Sequence, residues 1–520
     1  MKKLLLFISL CLTCTASFYR TASAIPGDMG FFGGISEGRR LPKTMETLLS
    51  GDARVGGNPN QTRSFQYKEI VFLTGRPVEF TGLLDVSGAN GVVPNSPNGN
   101  YTQMLQVYPS AASGSDVSIN RNIVFTVDYR REGKQLIKDY TVRDWTETIT
   151  VGGVTFTLDS AQSGFDISII EHETPGIGYY RGDVSARSVY LTGAVSGGGA
   201  AASERMTLDV SDSFYGYACA WSGAEAHRMD AALSGDSWQM MYQIRPSVSV
   251  NKTLWYTENE PDVISFEGNY KEILKNESGL KYIILQPPLI YPDQPVEGGA
   301  SIPTRNTFEQ LIAPDVGFLK GHPAMEDIRK LFSMQILDGD PSFYMPEQAI
   351  TRAQFVGALV KAVKLPIEST AAATRGRRAQ QPPIVFPDVQ PARPDYPYLM
   401  SAYRNGLAVG RDDGTFYSDS LLERQEAFVI MVRAIGAGNL GQGASQNTVF
   451  TDDGQIAQWA RSSLTSAYRL GLIKPDGKGE IRPRDYVSKA EAASLLRALV
   501  DYMRTGIASD YAEHLVNYVS

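Results

Sequence analysis

The stretch Ile350-Thr351-Arg352-Ala353-Gln354-Phe355 (ITRAQF) decides the fold of the C-terminal part of this chain, because it marks the start of a helix. Thr at the N-cap and Gln three residues later form a capping box, in which each side chain satisfies a backbone N–H of the first turn. Related stretches follow at Glu423-Arg424-Gln425-Glu426 and at Ser488-Lys489-Ala490-Glu491. The sequence therefore predicts three similar helices, one in each of three repeats.

A second helix precedes each of these three starts. Apolar residues recur there at i, i+3, i+4 and i+8, which places them on one helix face. The three sets are Ile328, Leu331, Phe332 and Ile336; Leu399, Ala402, Tyr403 and Leu407; and Leu464, Ala467, Tyr468 and Leu472. A turn rich in Asp and Gly joins the two helices of each repeat. Because one helix-loop-helix unit is too small to fold alone, the three copies are expected to pack on each other.

This repeated pattern resembles the S-layer homology domain, which carries the motifs Phe-x-Asp-Val, His-Trp-Ala and Ile-Thr-Arg-Ala-Glu. The resemblance covers about Asn306 to Arg504. It depends on Phe386-Pro387-Asp388-Val389, Phe450-Thr451-Asp452, His322-Pro323-Ala324, Trp459-Ala460 and Ile350 to Gln354. This chain departs from the family at four places. Pro323 replaces Trp, and no clear Asp lies near Phe318 in the first repeat. Glu423 replaces the Thr cap, and Pro475 stands where the other repeats have Gly339 and Gly410.

The resemblance implies an all-α pseudo-trimer with repeats at 304–366, 384–436 and 448–504, and a tail at 505–520. It also implies that grooves between the repeats grip an anionic, pyruvylated secondary polysaccharide of the bacterial cell wall, attached to peptidoglycan. Several weak sites on one polymer add up to strong attachment. The protein would then be extracellular, held on the cell wall, and able to self-associate in a surface layer.

The basic residue at the first position of each capped helix is the main candidate for ligand binding. Arg352, Arg424 and Lys489 oppose the helix dipole there, at a cost of about 0.3–1 kcal/mol. Two interpretations stay open: each cation pairs with a local carboxylate, or it joins exposed backbone N–H groups in an anion site. The resemblance favours the anion site. It also implies polysaccharide-binding roles for Asp388, Asp452, Trp459, Gly339 and Gly410, although Asp often serves as an N-cap and Trp as a core residue.

The N-terminal half has a different periodicity. Residues 1–24 have a basic start, an apolar run and Ala22-Ser23-Ala24, which together predict a secretory signal peptide. An extension at 25–64 leads into 65–285, where alternating residues predict a β-rich, sandwich-like domain. Val151-Gly152-Gly153-Val154 predicts a hairpin turn. Residues 286–303 hold five prolines and predict a linker. The expected fold is therefore a mostly β domain followed by a helical repeat domain.

Composition narrows the classes of function. The formal net charge is -7, and no basic tract offsets it, which argues against a nucleic-acid-binding protein. After removal of the signal peptide one cysteine remains, Cys219, in an apolar context that suits a buried thiol. The Asp-rich turns lack the spacing of a calcium loop. No later segment is long and apolar enough to cross a membrane, and we expect neither metal nor cofactor.

An enzyme is the alternative interpretation of the β domain. Carboxylates such as Glu171, Glu173, Asp212, Glu258 and Glu260 could include the pair that a glycoside hydrolase needs. Nothing in the sequence selects two of them. We therefore predict a non-catalytic surface protein whose β domain is structural or adhesive. The alternative is a wall-anchored enzyme that degrades polysaccharide.

Overall fold

The computed structural model describes most of the chain after residue 62. The described residues are 33–36, 63–88, 96–110, 116–193, 204–257, 268–289, 291, 296–303, 306–367, 385–411, 413–441 and 447–510. The predicted signal peptide, most of the extension and the tail beyond residue 510 lie outside these residues. None of the described helices combines the length and the apolar character that spanning a membrane requires.

Fifteen strands form the N-terminal part. They are β1 (Ile35–Ser36), β2 (Arg63–Val71), β3 (Val78–Gly88), β4 (Asn98–Pro109), β5 (Val117–Glu132), β6 (Gln135–Val151), β7 (Val154–Leu158), β8 (Gly164–Glu173), β9 (Ile177–Thr192), β10 (Arg205–Cys219), β11 (Ser222–Ser234), β12 (Gln239–Thr257), β13 (Asn269–Gln286), β14 (Glu297–Ile302) and β15 (Thr307–Ile312). All of them belong to one antiparallel sheet, in which consecutive strands are mostly neighbours.

The glycine hairpin predicted between β6 and β7 is confirmed. Val151 pairs with Val154, and the two turn residues between them have φ angles of 56° and 83°. Gly152 and Gly153 suit this turn because only glycine adopts such angles without steric cost. Short connections of this kind allow each strand to pair with the next one along the chain.

The sheet buries one of its two faces by curling onto itself. Strands β1 and β2 contact β12, β13 and β14, and the ring of Phe72 stacks on Tyr242 with 3.9 Å between centroids. Alternate residues along β9 and β12 are buried and exposed, as period two requires. The alternation predicted a sandwich-like domain without separating a sandwich from a barrel, and the described strands form one continuous sheet. Periodicity defines the face of each residue and leaves the pairing of strands open.

The sheet also extends further along the chain than the sequence indicated. Residues 286–303, interpreted as a linker, include β14, which pairs with β13. Strand β15 lies within the segment 304–366 assigned to the first repeat, and it pairs with β13 as well. Four of the five prolines of this region precede β14 and Pro303 follows it, so none of them interrupts its hydrogen bonds. The first repeat is consequently not purely helical.

Seven α-helices follow the sheet within the described residues. They are α1 (Met325–Ser333), α2 (Arg352–Ala362), α3 (Tyr396–Arg404), α4 (Arg424–Ala434), α5 (Arg461–Arg469), α6 (Lys489–Asp501) and α7 (Ile507–Asp510). A turn of π-helix at Tyr502–Gly506 connects α6 to α7. The predicted starts of the second helices are confirmed, and so are the capping boxes of Thr351 with Gln354 and of Ser488 with Glu491.

The sheet and the helices share a core. Trp221 is buried, and its indole N–H donates to the carbonyl of Ala362 at 2.6 Å. The hydroxyl of Tyr179 donates to the carbonyl of Ile435 at 3.2 Å. Cys219 is buried in the same cluster, where burial raises the pKa of its thiol. The repeats are therefore held against one end of the sheet by aromatic side chains and hydrogen bonds.

Candidate ligand site at the junctions between repeats

Three short segments, one before each capped helix, meet in a closed ring of backbone hydrogen bonds. Ile350 N–H donates to Val487 at 2.9 Å, Val487 N–H donates to Leu422 at 2.9 Å, and Leu422 N–H donates to Ile350 at 3.1 Å. Each repeat thus contacts both of the others. We call the contact between repeats 1 and 2 the first junction, that between repeats 2 and 3 the second, and that between repeats 3 and 1 the third.

The backbone N–H groups at the starts of α2, α4 and α6 already have acceptors in the protein. The first two N–H groups of each helix donate to carbonyls of a neighbouring repeat at 2.8 to 3.0 Å. The pairs are Arg352 to Ser420, Ala353 to Ser418, Arg424 to Asp485, Gln425 to Pro483, Lys489 to Gln348 and Ala490 to Pro346. One of the two interpretations left open by the sequence needed exposed N–H groups at these helix starts, and the first two of each helix are already bonded. These six N–H groups are therefore not the donors of an anion site.

At the first junction, the side chain of Arg352 is almost fully enclosed by neighbouring residues. Its guanidinium donates to Glu426 Oε1 at 3.1 Å and to the carbonyl of Val409 at 3.2 Å, and it lies 5.1 Å from the ring centroid of Phe416. Only 8% of Arg352 is exposed. Its Nε is buried and has no hydrogen-bond partner among the described residues. Arg352 therefore has one unused donor beside one carboxylate.

Two further arginines lie close to this guanidinium. Arg411 contacts Glu426 Oε1 at 3.3 Å, and Arg433 donates to the carbonyl of Leu407 at 3.2 Å. Burial lowers the pKa of Arg352; Glu426 opposes this effect, whereas Arg411 and Arg433 reinforce it. The first junction thus brings three cations together, two of which contact the carboxylate of Glu426, so positive charge is in excess there.

The second junction has an equivalent Arg–Glu ion pair, but more carboxylates lie around it. Arg424 donates to Glu491 Oε1 at 2.6 Å and to the carbonyl of Ile481 at 2.7 Å. Arg482 lies 4.0 Å from the same carboxylate and also faces Asp476 and Asp485, at 4.0 and 3.6 Å. Carboxylates therefore outnumber cations here.

The third junction has no carboxylate beside its cation among the contacts that the structure describes. Lys489 Nζ donates to the amide oxygen of Gln348 at 2.6 Å and lies 5.9 Å from the ring centroid of Tyr344. The residue that corresponds to Glu426 and Glu491 is Gln354, so the first repeat offers an amide where the other repeats offer a charge. The cation of the third junction thus differs from those of the other two, which each pair with a carboxylate.

Asp388 and Asp452 hold the turn between the two helices of their own repeats. Asp388 accepts the N–H of Phe416 at 2.8 Å and of Ser418 at 3.0 Å, and Asp452 accepts the N–H of Arg482 at 2.7 Å. Burial alone would raise the pKa of Asp388, but the hydrogen bonds from Ser418 and Phe416 hold it below its ordinary value. Neither side chain is an N-cap, and both position the turns that flank the junctions.

Trp459 is exposed to solvent, whereas Gly339 and Gly410 are required for different steric reasons. Trp459 is 57% exposed, so it is not a core residue, and its indole is open to a ligand. Gly339 has a φ angle of 95°, which favours glycine, and a Cβ there would have no atom within 4 Å. A Cβ on Gly410 would lie 3.0 Å from the ring of Phe386, so a side chain is excluded there by contact.

A further aspartate of the first repeat was missed in the sequence. Pro314-Asp315-Val316 matches Pro387-Asp388-Val389, with Ala313 in the place of Phe386, and this match could have revealed it. Val316 is buried like Val389, but the carboxylate of Asp315 accepts the N–H of Gly317 at 2.8 Å, two residues away. The first repeat therefore uses this aspartate locally.

The carboxylates considered for catalysis lie inside the sheet where the structure describes them. Glu171 is buried and pairs with Lys138 at 2.6 Å. Asp212 is buried and bonds to His227 Nδ1 at 2.6 Å, while Glu225 bonds to Nε2 of the same ring at 3.1 Å. Glu258, Glu260 and the side chain of Glu173 lie outside the described part of the chain. Within the described part, no group of three or more His, Cys, Asp or Glu is placed to hold a metal ion.

Comparison with known proteins agrees with the repeats. The S-layer homology domain matches residues 319–356, 385–428 and 449–493. An amylopullulanase of Thermoanaerobacterium thermosulfurigenes is 26% identical over 187 residues, which are 35% of this chain and 9% of that protein. The exoglucanase XynX of Acetivibrio thermocellus is 27% identical over 190 residues, which are 35% of this chain and 16% of that protein.

An endoglucanase of Bacillus sp. (strain KSM-635) is 21% identical over 175 residues, which are 33% of this chain and 17% of that protein. This chain thus spans less than a fifth of the length of the curated relatives that it matches. S-layer homology domains anchor proteins at the cell surface, which makes this an extracellular protein of the cell surface. Its C-terminal part contains three copies of the S-layer homology domain, between residues 319 and 493.

Proposed function

We propose that the three repeats attach the chain non-covalently to the cell wall by binding an anionic, pyruvylated polysaccharide through the junction cations. One observation carries the proposal: each junction places one cation, Arg352, Arg424 or Lys489, at the same position beside a neighbouring repeat. Helix stability alone would favour an acidic residue there. A polymer with repeated carboxylates can engage more than one junction at once, which strengthens attachment.

Two aromatic side chains of the repeats suit a sugar polymer. Exposed Trp459 offers an aromatic face just before the start of α5, and the half-buried ring of Tyr344 lies beside the cation of the third junction. Sites for small molecules and sugars combine such apolar faces with a few polar groups that fix orientation. The β domain serves as a structural or adhesive body, since it shares a core with the repeats and would be carried on the wall with them.

The test uses the whole chain, because the repeats share their core with the sheet. Arg352, Arg424 and Lys489 are changed together to Gln, and binding to purified wall sacculi is measured by sedimentation. We expect binding to fall at least about tenfold, since charge-assisted hydrogen bonds are lost at each junction. Circular dichroism checks that the helices remain.

A matched control removes three exposed cations from the sheet: Arg130, Arg187 and Arg228 are changed to Gln. These side chains are half or more exposed and lie far from the repeats in the sequence. Their loss changes the net charge by the same amount and should leave binding within about twofold, because exposed pairs contribute little. Equal effects of the two triple variants, or equal binding to sacculi stripped of their secondary polymer, would refute the proposal.

A wall-anchored hydrolase is the second candidate, and the names of the relatives favour it: amylopullulanase, exoglucanase and endoglucanase. The matched stretches are 9% to 17% of those proteins, so the names alone do not transfer an activity to this chain. Release of reducing ends from starch, xylan and cellulose measures it directly. Activity that disappears in the variant Asp212→Asn would support an enzyme, and no release from any of the three would count against it.

A further inference from the structure

We infer that the first junction is the principal anion site of the three, and that Arg411 is a ligand-binding residue there. This inference rests on the proposed function, since it names the junction that contributes most of the wall binding. The motif residues alone would make the junctions equivalent, because each has a cation at the first position of a capped helix. The surroundings of these cations differ.

The balance of charge separates the junctions. At the first, Arg352 and Arg411 contact the carboxylate of Glu426, Arg433 lies near Arg352, and Asp413 is the second carboxylate, so three cations face two carboxylates. At the second, Glu491, Asp476 and Asp485 outnumber the two arginines. At the third, Lys489 stands alone with amide and phenol partners. An anion gains the most where cations exceed carboxylates and the site is partly shielded from water.

An unused donor points to a ligand at the first junction. Arg352 is more than nine-tenths buried, and its Nε has no hydrogen-bond partner among the described residues. A buried N–H without an acceptor costs free energy, and a ligand oxygen that accepts from it recovers this cost. The equivalent arginine of the second junction, Arg424, uses its Nε to bond the carbonyl of Ile481 at 2.7 Å.

Arg411 offers the accessible part of the site. Its side chain is 51% exposed, and its guanidinium lies 4.6 Å from the ring centroid of Tyr417. The hydroxyl of Tyr417 donates to Asp413 at 2.6 Å, which fixes the ring beneath the guanidinium. Arg411 contacts Glu426 at one nitrogen, and the planar group has further donors for a second acceptor. The ligand is therefore a group with at least two anionic oxygens, either a carboxylate or a phosphate.

The chain contains a matched pair of residues for the experiment. Arg411 and Arg482 have similar exposure, 51% and 49%, and lie 3.3 and 4.0 Å from Glu426 and Glu491. The variants Arg411→Gln and Arg482→Gln remove the same charge from the first and the second junction. We expect Arg411→Gln to weaken binding to wall sacculi about tenfold and Arg482→Gln to change it less than about twofold.

The outcomes separate this inference from the function on which it rests. Equal effects of the two variants, or a larger loss with Arg482→Gln, would overturn the choice of the first junction. The proposed function would still stand if the variant with all three N1 cations changed to Gln had lost binding. Mild acid removes ketal-linked carboxylates from the sacculi, whereas hydrofluoric acid cleaves phosphodiesters and also releases any polymer attached through them. Binding that falls after mild acid identifies a carboxylate, and binding that survives mild acid but falls after hydrofluoric acid identifies a phosphate; either result supports the inference. Unreduced binding to sacculi given both treatments overturns it.

Discussion

The interior of the sheet and the junctions between the repeats both hold charged pairs, but they hold them in opposite ways. In the sheet, Lys138 is fully buried and bonds to Glu171 at 2.6 Å, so both charges are closed to solvent. At the first junction, Arg411 contacts Glu426 at 3.3 Å with half of its side chain exposed. A buried pair can only stabilise or destabilise the fold. A partly exposed cation in excess can exchange its partner for a ligand.

Because the ion pairs inside the sheet are closed to solvent, breaking one of them should cause the largest loss of stability. The variant Glu171→Gln leaves the charge of Lys138 without its partner and should lower the free energy of unfolding by about 3–5 kcal/mol. Unfolding in urea measures the loss, and wall binding below the transition should not change. The control is Asp209→Asn, which breaks the exposed pair with Arg187 and should cost less than about 1 kcal/mol. Similar losses of stability in both variants would contradict the distinction between buried and exposed ion pairs.

A pH dependence of stability should come from the sheet as well. Burial lowers the pKa of His227, but hydrogen bonds to Asp212 and Glu225 raise it to about 9. Because the folded pKa lies above the unfolded value of about 6.5, the stabilisation is complete below pH 6.5 and disappears as the pH rises through 9. The expected change is about 3 kcal/mol. Thermal unfolding from pH 6 to 10 measures it.

The variant His227→Gln provides the control for this pH dependence. It removes the titrating ring and should flatten the stability profile between pH 6.5 and 9, at the cost of a lower stability throughout. The groups that face the ring are Asp212, Glu225 and the hydroxyl of Tyr180, which bonds to Glu225. An unchanged slope in the variant would show that another group titrates.

Changes to the aspartates that flank the junctions should affect the stability of the fold more than ligand binding. Asp388→Ala removes the acceptor of the Phe416 and Ser418 N–H groups and should lower the free energy of unfolding by about 2 kcal/mol. The corresponding change in the first repeat, Asp315→Ala, removes one local bond and should cost less than about 1 kcal/mol. Urea unfolding compares the two. A larger loss with Asp315→Ala would contradict the structural role of Asp388.

The smallest effect should come from the carboxylate that competes with the ligand. Glu426→Gln keeps an acceptor at the helix start, as Gln354 does in the first repeat, but removes the charge that pairs with Arg352 and Arg411. Binding to sacculi should rise about threefold to tenfold, because the arginines no longer have to release a carboxylate. Glu491→Gln is the matched change at the second junction and should matter less. A loss of binding in Glu426→Gln would mean that Glu426 itself contacts the ligand.

The sequence predicted the local features of both regions and missed those that depend on distant residues. Thr351 and Gln354 predicted a capped helix because both partners lie within one turn, and Gly152-Gly153 predicted a hairpin for the same reason. The partner of Arg352 is Glu426, 74 residues further along the chain, and the sequence contains no sign of that contact. The closure of the sheet onto itself was likewise left open by the sequence. Alternation with period two shows on which face of the sheet a residue lies, but not which strands are neighbours.

The candidate site shows the same limit in finer detail. The three N1 cations were visible as a repeated charge, but the acceptors that occupy the helix N–H groups come from turns of neighbouring repeats. The position of Arg411 holds Asp340 and Asp476 in the other two repeats, so no repeated charge pointed to Arg411. Its importance depends on its distance from Glu426 and Arg352, which only the folded chain defines.

Hydrogen exchange of the whole chain, with and without polysaccharide released from the wall, tests most directly whether the junctions are the binding region. We predict slower exchange in residues 409–417 and around the starts of α2 and α4, with no change in strands β5 to β12. Salt should weaken this protection, since exposed charges are screened at high ionic strength. Protection confined to the sheet, or absent from the first junction, would contradict the account.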